Sequence, residues 1–384
     1  MNDYSIFNTI QMRELFFILL PLVVLRIVLS APLSTEIFIQ RGIYTLLVGL
    51  GEFSKRMYTD IDLVIDRTWY SPLHISKIEY EPFTKKGSAI MEIDDVKYSF
   101  DITEGNYRIT DSRNKDLVLV PFRFLYLNKK IFHSDSISFA YNIKEEFSII
   151  HQLYNKKHIT RRAFAFSEKG QENKINFYYG ELPQEQTNNK NNLKCKVNQK
   201  YSTWGCDIHS LTFSDKKHKP YIKDQYVYFQ TNIQSILAPE NFIHYLYDTI
   251  FKEYSENEQC EYSIDGKEAR IICNNSEILQ KLPKVYIKFD SGTIVIEEIM
   301  RKYYSRRWVC VFEKNYIDND TDSKWVFGNG FLLLFSEVFD YDRSEITFYS
   351  DKYIIPIPYS KLPFILNIIM LIIMIIILQL SKDK

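Results

Sequence analysis

WVFGNGFLLLFSEVFDYDRSEITF, residues 325–348, sets a tryptophan, two hydrophobic residues and a glycine ahead of Phe-Leu, an aromatic, Val-Phe-Asp and a closing Ile-x-Phe run. That last run reads as a strand. Upstream, residues 226–239, YVYFQTNIQSILAP, begin as aromatic and β-branched residues typical of a buried strand. They enter a polar turn at Gln230, Thr231 and Asn232, and Pro239 then opens a helical segment. Similar short runs fill the chain on both sides of the Gln/Asn/Lys-rich stretch 184–192, QEQTNNKNN, which reads as an exposed loop between two units. Before it strands are expected at 44–50, 62–70, 89–93, 97–102, 117–126 and Ile175–Tyr179. After it they are expected at 203–213, 225–229, 269–272, Val285–Phe289, 293–296, 308–312 and 346–349. Only 147–154 and 239–254 suggest helices, so the body is expected to be mainly β.

Composition narrows the classes further. The 384 residues can bury a substantial core, and aromatics at 15% with only 12 glycines suit a β fold with many buried rings. Lys+Arg 48 balances Asp+Glu 48, so no global field favours nucleic acid and none is expected as a partner. The five cysteines form no CxxC and stand near no histidine set, so disulfides are expected rather than metal, and no cofactor is expected. Both ends are apolar. Residues 15–29 lead into Ser-Ala-Pro, so 1–30 reads as a signal peptide or a signal anchor. Residues 363–380, PFILNIIMLIIMIIILQL, are long enough to cross a membrane as a helix. Lys382 and Lys384 after that span put its end in the cytoplasm, which leaves a lumenal or extracellular body on a single-pass membrane protein.

Residues 325–348 resemble the matching segment of pepsin-like aspartic proteases. Further segments resemble the family in the same order. YTLLVGLG (44–51) is similar to its opening Y-x-x-x-I-x-I-G strand, and SIIHQLYNKKHITRRAFAF (148–166) to its helix followed by an F-S-F strand. FYYGELP (177–183), TWGCDIHSLTF (203–213) and residues 271–283 with Cys273 and Leu282-Pro283 continue the series. The resemblance implies a bilobal fold, with an N-terminal β lobe at 44–184, a C-terminal β lobe at 193–351 and a C-terminal transmembrane helix after them. A peptide or protein partner would lie in the cleft between the lobes. It also implies a disulfide between Cys273 and Cys310; Cys195 and Cys206 are candidates to pair, which leaves Cys260 odd.

Such proteases use two carboxylates that share one proton, one acting on water as a base and the other on the substrate carbonyl as an acid. The resemblance puts each on a D-T/S-G-T/S loop. The DSGT at 290–293 is expected to be a hairpin turn instead, because it joins Val285–Phe289 to 293–296. The second loop then falls on Gln230-Thr231-Asn232, where Gln230 takes the aspartate position and cannot ionise. The first falls on Asp62, followed by Leu63-Val64, with Asp66 as the alternative. Phe139 stands where the family has a glycine beneath the first loop, whereas Gly328 keeps its counterpart in the second. The flap over the cleft is expected at 99–107, SFDITEGNY, with Ile102 in place of the usual Tyr and Gly105 at the turn. Trp69 and Thr231 would line the cleft. These substitutions predict an inactive homologue that binds a peptide or partner. The alternatives are an active aspartic endopeptidase whose second acid is Asp224 or Asp290, and a structural or adhesive surface protein.

Overall fold

The computed structural model describes residues 33–356 apart from 41–42, 51–56, 65–68, 71–83, 94–95, 111–115, 127–135, 168–174, 189, 216, 266–267, 305–306 and 318–323. The expected signal segment and the apolar stretch 363–380 lie outside the described residues. Among the described residues no helix is long and apolar enough to cross a membrane.

Six strands drawn from both halves of the chain form a central platform. Asn192–Lys196, Glu345–Tyr349, Ser336–Asp340, Ala163–Phe166, Ile175–Tyr179 and Leu33–Gln40 lie side by side in that order, each antiparallel to the next. Alternate residues of a strand point to opposite faces. One face therefore carries Phe164, Phe166, Phe177 and Phe339 into the main core, where the rings of Phe164 and Phe339 stack at 4.8 Å. The other face buries Ala163, Ala165, Tyr178 and Val338. Leu33–Gln40 belongs to this platform although it precedes residue 44, and Ile354–Pro356 pairs with Gly292–Ile296 beyond residue 351. The fold thus reaches past both ends of the expected lobes.

From Leu33–Gln40 the same sheet continues through the first half of the chain, by way of Ile43–Leu50 and Met57–Asp62 to Ser136–Ser138. The second half has its own eight-stranded sheet, centred on Lys324–Phe327, Tyr221–Phe229 and Gly205–Phe213, and a four-stranded sheet from 260 to 310. Helices are short. Ile149–Asn155 starts at Ser148, whose side chain accepts from the His151 N–H, and a longer helical stretch follows Pro239.

Most expected strands occur where their alternating apolar pattern puts them; the exceptions are 308–312, which divides at Val311 into Arg307–Cys310 and Phe312–Lys314 in different sheets, and 62–70. There the strand ends at Asp62, the next described one is the two-residue Trp69–Tyr70, and 65–68 lie outside the described residues. Val285–Phe289 and Gly292–Ile296 pair with Phe289 opposite Gly292, so Asp290 and Ser291 form the two-residue turn of a hairpin. Ser291 Oγ is spent on the backbone of Lys194, accepting from its N–H at 2.8 Å and donating to its carbonyl at 2.6 Å.

The disulfides correct one expectation and fulfil another. Cys195 is bonded to Cys206. Cys273 is bonded to Cys260, not to Cys310. Register explains the difference: Cys273 stands directly opposite Cys260 in one antiparallel pair and opposite Trp308 in the other, whereas Cys310 stands opposite Met300. Cys310 is left as a buried free thiol, and burial pushes its pKa up to about 12.

Candidate functional site

Two strands, one from each half, end in loops that meet. Met57–Asp62 runs parallel to Ser136–Ser138, with Asp62 opposite Ser138. Tyr221–Phe229 runs parallel to Lys324–Phe327, with Phe229 opposite Phe327. Residues 62 and 230 therefore occupy corresponding places, at or just past the end of a strand held beside a parallel neighbour. Backbone hydrogen bonds repeat this correspondence. The Phe139 N–H donates to the Asp62 carbonyl at 2.8 Å, and the Gln230 N–H donates to the Phe327 carbonyl at 3.1 Å.

The loops are tied to each other by Thr231. Its buried hydroxyl donates to the carbonyl of Ile61, the residue before Asp62. Its own carbonyl accepts from the Tyr44 N–H at 3.4 Å and from Asn329 Nδ2 at 3.2 Å. Positions 62 and 230 thus flank one cross-connection, each a single residue from a partner in it. Asn329 was not singled out in the sequence, although its place directly after Gly328 was the available signal.

Side chains at the junction differ sharply in how they are satisfied. Asp62 is 6% exposed, and its Oδ1 accepts from the Val64 N–H at 2.7 Å, a turn two residues long. Gln230 is 9% exposed and its Oε1 is buried with no hydrogen-bond partner. A buried acceptor left unsatisfied costs about 1–3 kcal/mol. Leu63 takes the place after Asp62 and is fully buried, so the first loop returns no hydroxyl to the second.

Beneath the loops the two halves also diverge. Gly328 has no room for a side chain: a Cβ there would meet the carbonyl oxygens of Ile233 at 2.3 Å and Ser235 at 2.5 Å. The register puts the buried Ser138, opposite Asp62, in the corresponding place, not the expected Phe139; Phe139, one residue further on, sends its ring into the core, 5.0 Å from the rings of both Phe164 and Phe177. Its carbonyl accepts from Trp204 Nε1 at 2.7 Å and from the Tyr341 hydroxyl at 3.0 Å, so the second half of the chain holds the first loop's support in place. Deeper in the platform stands Glu337, fully buried, with neither carboxylate oxygen partnered. Burial pushes its pKa well above the usual carboxylate range. Burial, and after it the nearby Glu337, also raise that of the Tyr44 phenol. Nothing in the sequence pattern singled out Glu337.

Other expected site residues fall elsewhere. Asp66 lies outside the described residues. The Trp69 backbone pairs with Ser136 and Leu125, next to the strand that supports Asp62. Ile102 and Gly105 do not form a flap turn. Both lie inside the unbroken strand Val96–Thr110, with Ile102 opposite Leu125 and Gly105 opposite Phe122. The β-forming residues of SFDITEGNY carry the strand through the glycine, and the hairpin closes earlier, between the paired residues Ile93 and Val96. Asp224 and Asp290 are joined by His209, whose Nδ1 lies 2.9 Å from one and Nε2 2.6 Å from the other. Those hydrogen bonds raise the His209 pKa. With side chains 82% and 84% exposed, the two aspartates stand apart from the buried Thr231 junction. Among the described residues no group of three or more His, Cys, Asp or Glu could hold a metal ion.

This architecture of two strand-end loops over a shared platform agrees with the comparison of the sequence with known families. No curated protein matches the chain. A family model, the eukaryotic aspartyl protease, matches residues 135–350, a span that contains Gln230, Thr231 and Gly328 and begins after Asp62. The chain belongs to the eukaryotic aspartyl protease family.

Proposed function

We propose that this protein is a membrane-anchored aspartyl protease homologue that binds an extended peptide or partner segment between its halves and does not hydrolyse it. The observation that carries the reading is Gln230. Peptide hydrolysis by this family's chemistry needs a second acid to share a proton with the first, and a carboxamide neither ionises nor holds that proton. Its orphaned Oε1 has the character of a recognition group, an acceptor ready for a backbone N–H of a bound strand. The retained Thr231 cross-connection supports a junction kept for binding, while Leu63 removes a further part of a catalytic loop. The apolar segment 363–380 would tether the body to a membrane from its lumenal or extracellular side.

The test uses the purified full-length chain with unfolded casein between pH 3 and 6. No cleavage is expected, with or without a statine-type transition-state mimic, while a peptide library screened by equilibrium binding yields ligands that are recovered intact. Cleavage that the statine compound inhibits would overturn the reading.

A further inference from the structure

Behind the Thr231 loop the second half of the chain contains a separate cavity of about 440 Å³. Its size lies within the range of small-molecule sites. One wall is the chain from Gln234 to Ile236, and another is the short helical turn that begins at Asn329. These walls are held together by the backbone, with the Asn329 N–H on the Ile233 carbonyl at 2.7 Å and the Gly330 N–H on the Gln234 carbonyl at 3.1 Å. Met300, Trp308, Phe331 and Leu334 supply an apolar interior.

The charges around this interior do not balance. Glu313, buried, serves two cations: Arg270 at 3.2 Å and Arg301 at 3.2 Å. Glu297 serves two more, Lys284 and Lys352, each at 2.9 Å. With the exposed Lys302 and Glu298, the lining and the groups bonded directly to it hold four cations, Arg301, Lys302, Lys352 and Lys284, against three carboxylates, a surplus of one positive charge. Arg301 is also incompletely used. Its Nη2 donates to Ser235 Oγ at 2.8 Å and to Glu313, but its Nε is buried with no acceptor. The cationic rim with Lys302 and the Arg301 guanidinium suits an incoming carboxylate, and the aromatic and aliphatic walls suit an apolar body attached to it.

We propose that this cavity is a second ligand site, for a carboxylate carried on a bulky apolar group. A hydrophobic peptide C-terminus and a free fatty acid share that chemistry. The site does not depend on whether the Asp62–Gln230 junction is catalytic.

Calorimetric titration of the full-length chain in nanodiscs separates the outcomes, with three probes: N-acetyl-Leu-Phe bearing a free carboxylate, the same dipeptide as its amide, and dodecanoate. One-to-one binding of at least one acid is expected, with the amide at least tenfold weaker than the free dipeptide if the source is a peptide end. Tighter binding of dodecanoate than of the dipeptide assigns the site to a fatty acid. Lys302→Glu, an exposed change that leaves the core intact, is expected to weaken the preferred acid at least tenfold, and Trp308→Ala to abolish its binding. Should Trp308→Ala fail to fold, Lys302→Glu decides alone. No saturable binding of either acid, equal binding of acid and amide with dodecanoate inert, or unchanged affinity in Lys302→Glu would overturn the proposal.

Discussion

The loop at Asp62 and the loop at Gln230 are built alike and finished differently. Each follows a strand laid parallel to a short neighbour, and each is fastened by a backbone hydrogen bond to that neighbour's end. The first keeps a carboxylate and has Leu63 where a hydroxyl could return the connection. The second keeps the hydroxyl of Thr231 and has the Gln230 carboxamide where a carboxylate would stand. Below them, Gly328 leaves space for backbone alone, whereas the place that corresponds to it by register holds the buried Ser138, whose Oγ accepts from the Ala140 N–H. Each loop therefore retains a different half of a shared device. What both retain is the geometry that joins the two halves of the chain, and the proposed reading is that the paired acids do not survive.

The largest effect should come from exchanging what lies beneath the loops. Gly328→Ala drives a methyl into two carbonyl oxygens that belong to the backbone and cannot swing aside, so a loss above about 4 kcal/mol or failure to fold is expected. Phe139→Ala empties an aromatic core site and should cost about 3–5 kcal/mol. Chemical denaturation measures both. A mild Gly328→Ala would mean that the second loop's support tolerates a side chain as the first does at Ser138, and that the glycine carries no structural weight.

Next in size is the buried carboxyl of Glu337 in the platform. Because the folded-state pKa of Glu337 is raised, the native state holds its proton more tightly than the unfolded chain does. Its contribution to stability is therefore fully present below the unfolded carboxylate pKa and is lost as pH rises toward the folded value. Glu337→Gln should gain on the order of 1–3 kcal/mol over the wild type at pH 7 and nothing at pH 4. Melting curves across that interval test this, and a wild-type stability that rises with pH in step with the variant would contradict it.

The cross-connection itself is smaller. Thr231→Val keeps the shape and removes the donor to the Ile61 carbonyl, for an expected loss of about 1–2 kcal/mol. Exchange of backbone amides for deuterium should quicken in 61–64 as well as in 231–233. Faster exchange in only one loop would show that the other stands without it.

How far these loops could be read from the chain depends on the kind of signal each residue carries. Strands such as Ile175–Tyr179 and Val285–Phe289 announce themselves through alternation and ring content, and the hairpin at Asp290-Ser291 through its short turn between two of them. The place of Gln230 just past a strand end was legible because a strand, a turn and Pro239 bracket it. Contacts distant in sequence were not. Cys273 finds Cys260 because a hairpin register brings them opposite, and register is fixed by pairings that spacing does not reveal. Gly105 looked like a turn because glycine often is one, yet flanking β-forming residues and two paired neighbours carried it through as strand. Glu337 sits in an apolar strand with no local clue that neither oxygen finds a partner.

The smallest effect is also the one that bears most directly on the difference between the loops. Asp62→Asn makes both positions carboxamides, and its Oδ1 can still accept from the Val64 N–H, so stability should change by less than about 1.5 kcal/mol. If the Asp62 carboxylate is a remnant that only shapes its own turn, peptide affinity measured by equilibrium binding should stay within about threefold, well under the 1.4 kcal/mol that a tenfold change represents. If instead this acid acts on a bound peptide, Asp62→Asn should remove a measurable turnover at acid pH, and the loops would then differ as a working half and a binding half. A variant that folds, binds and cleaves no differently from the wild type leaves the first loop's acid with a purely structural part, in the same position as the second loop's amide.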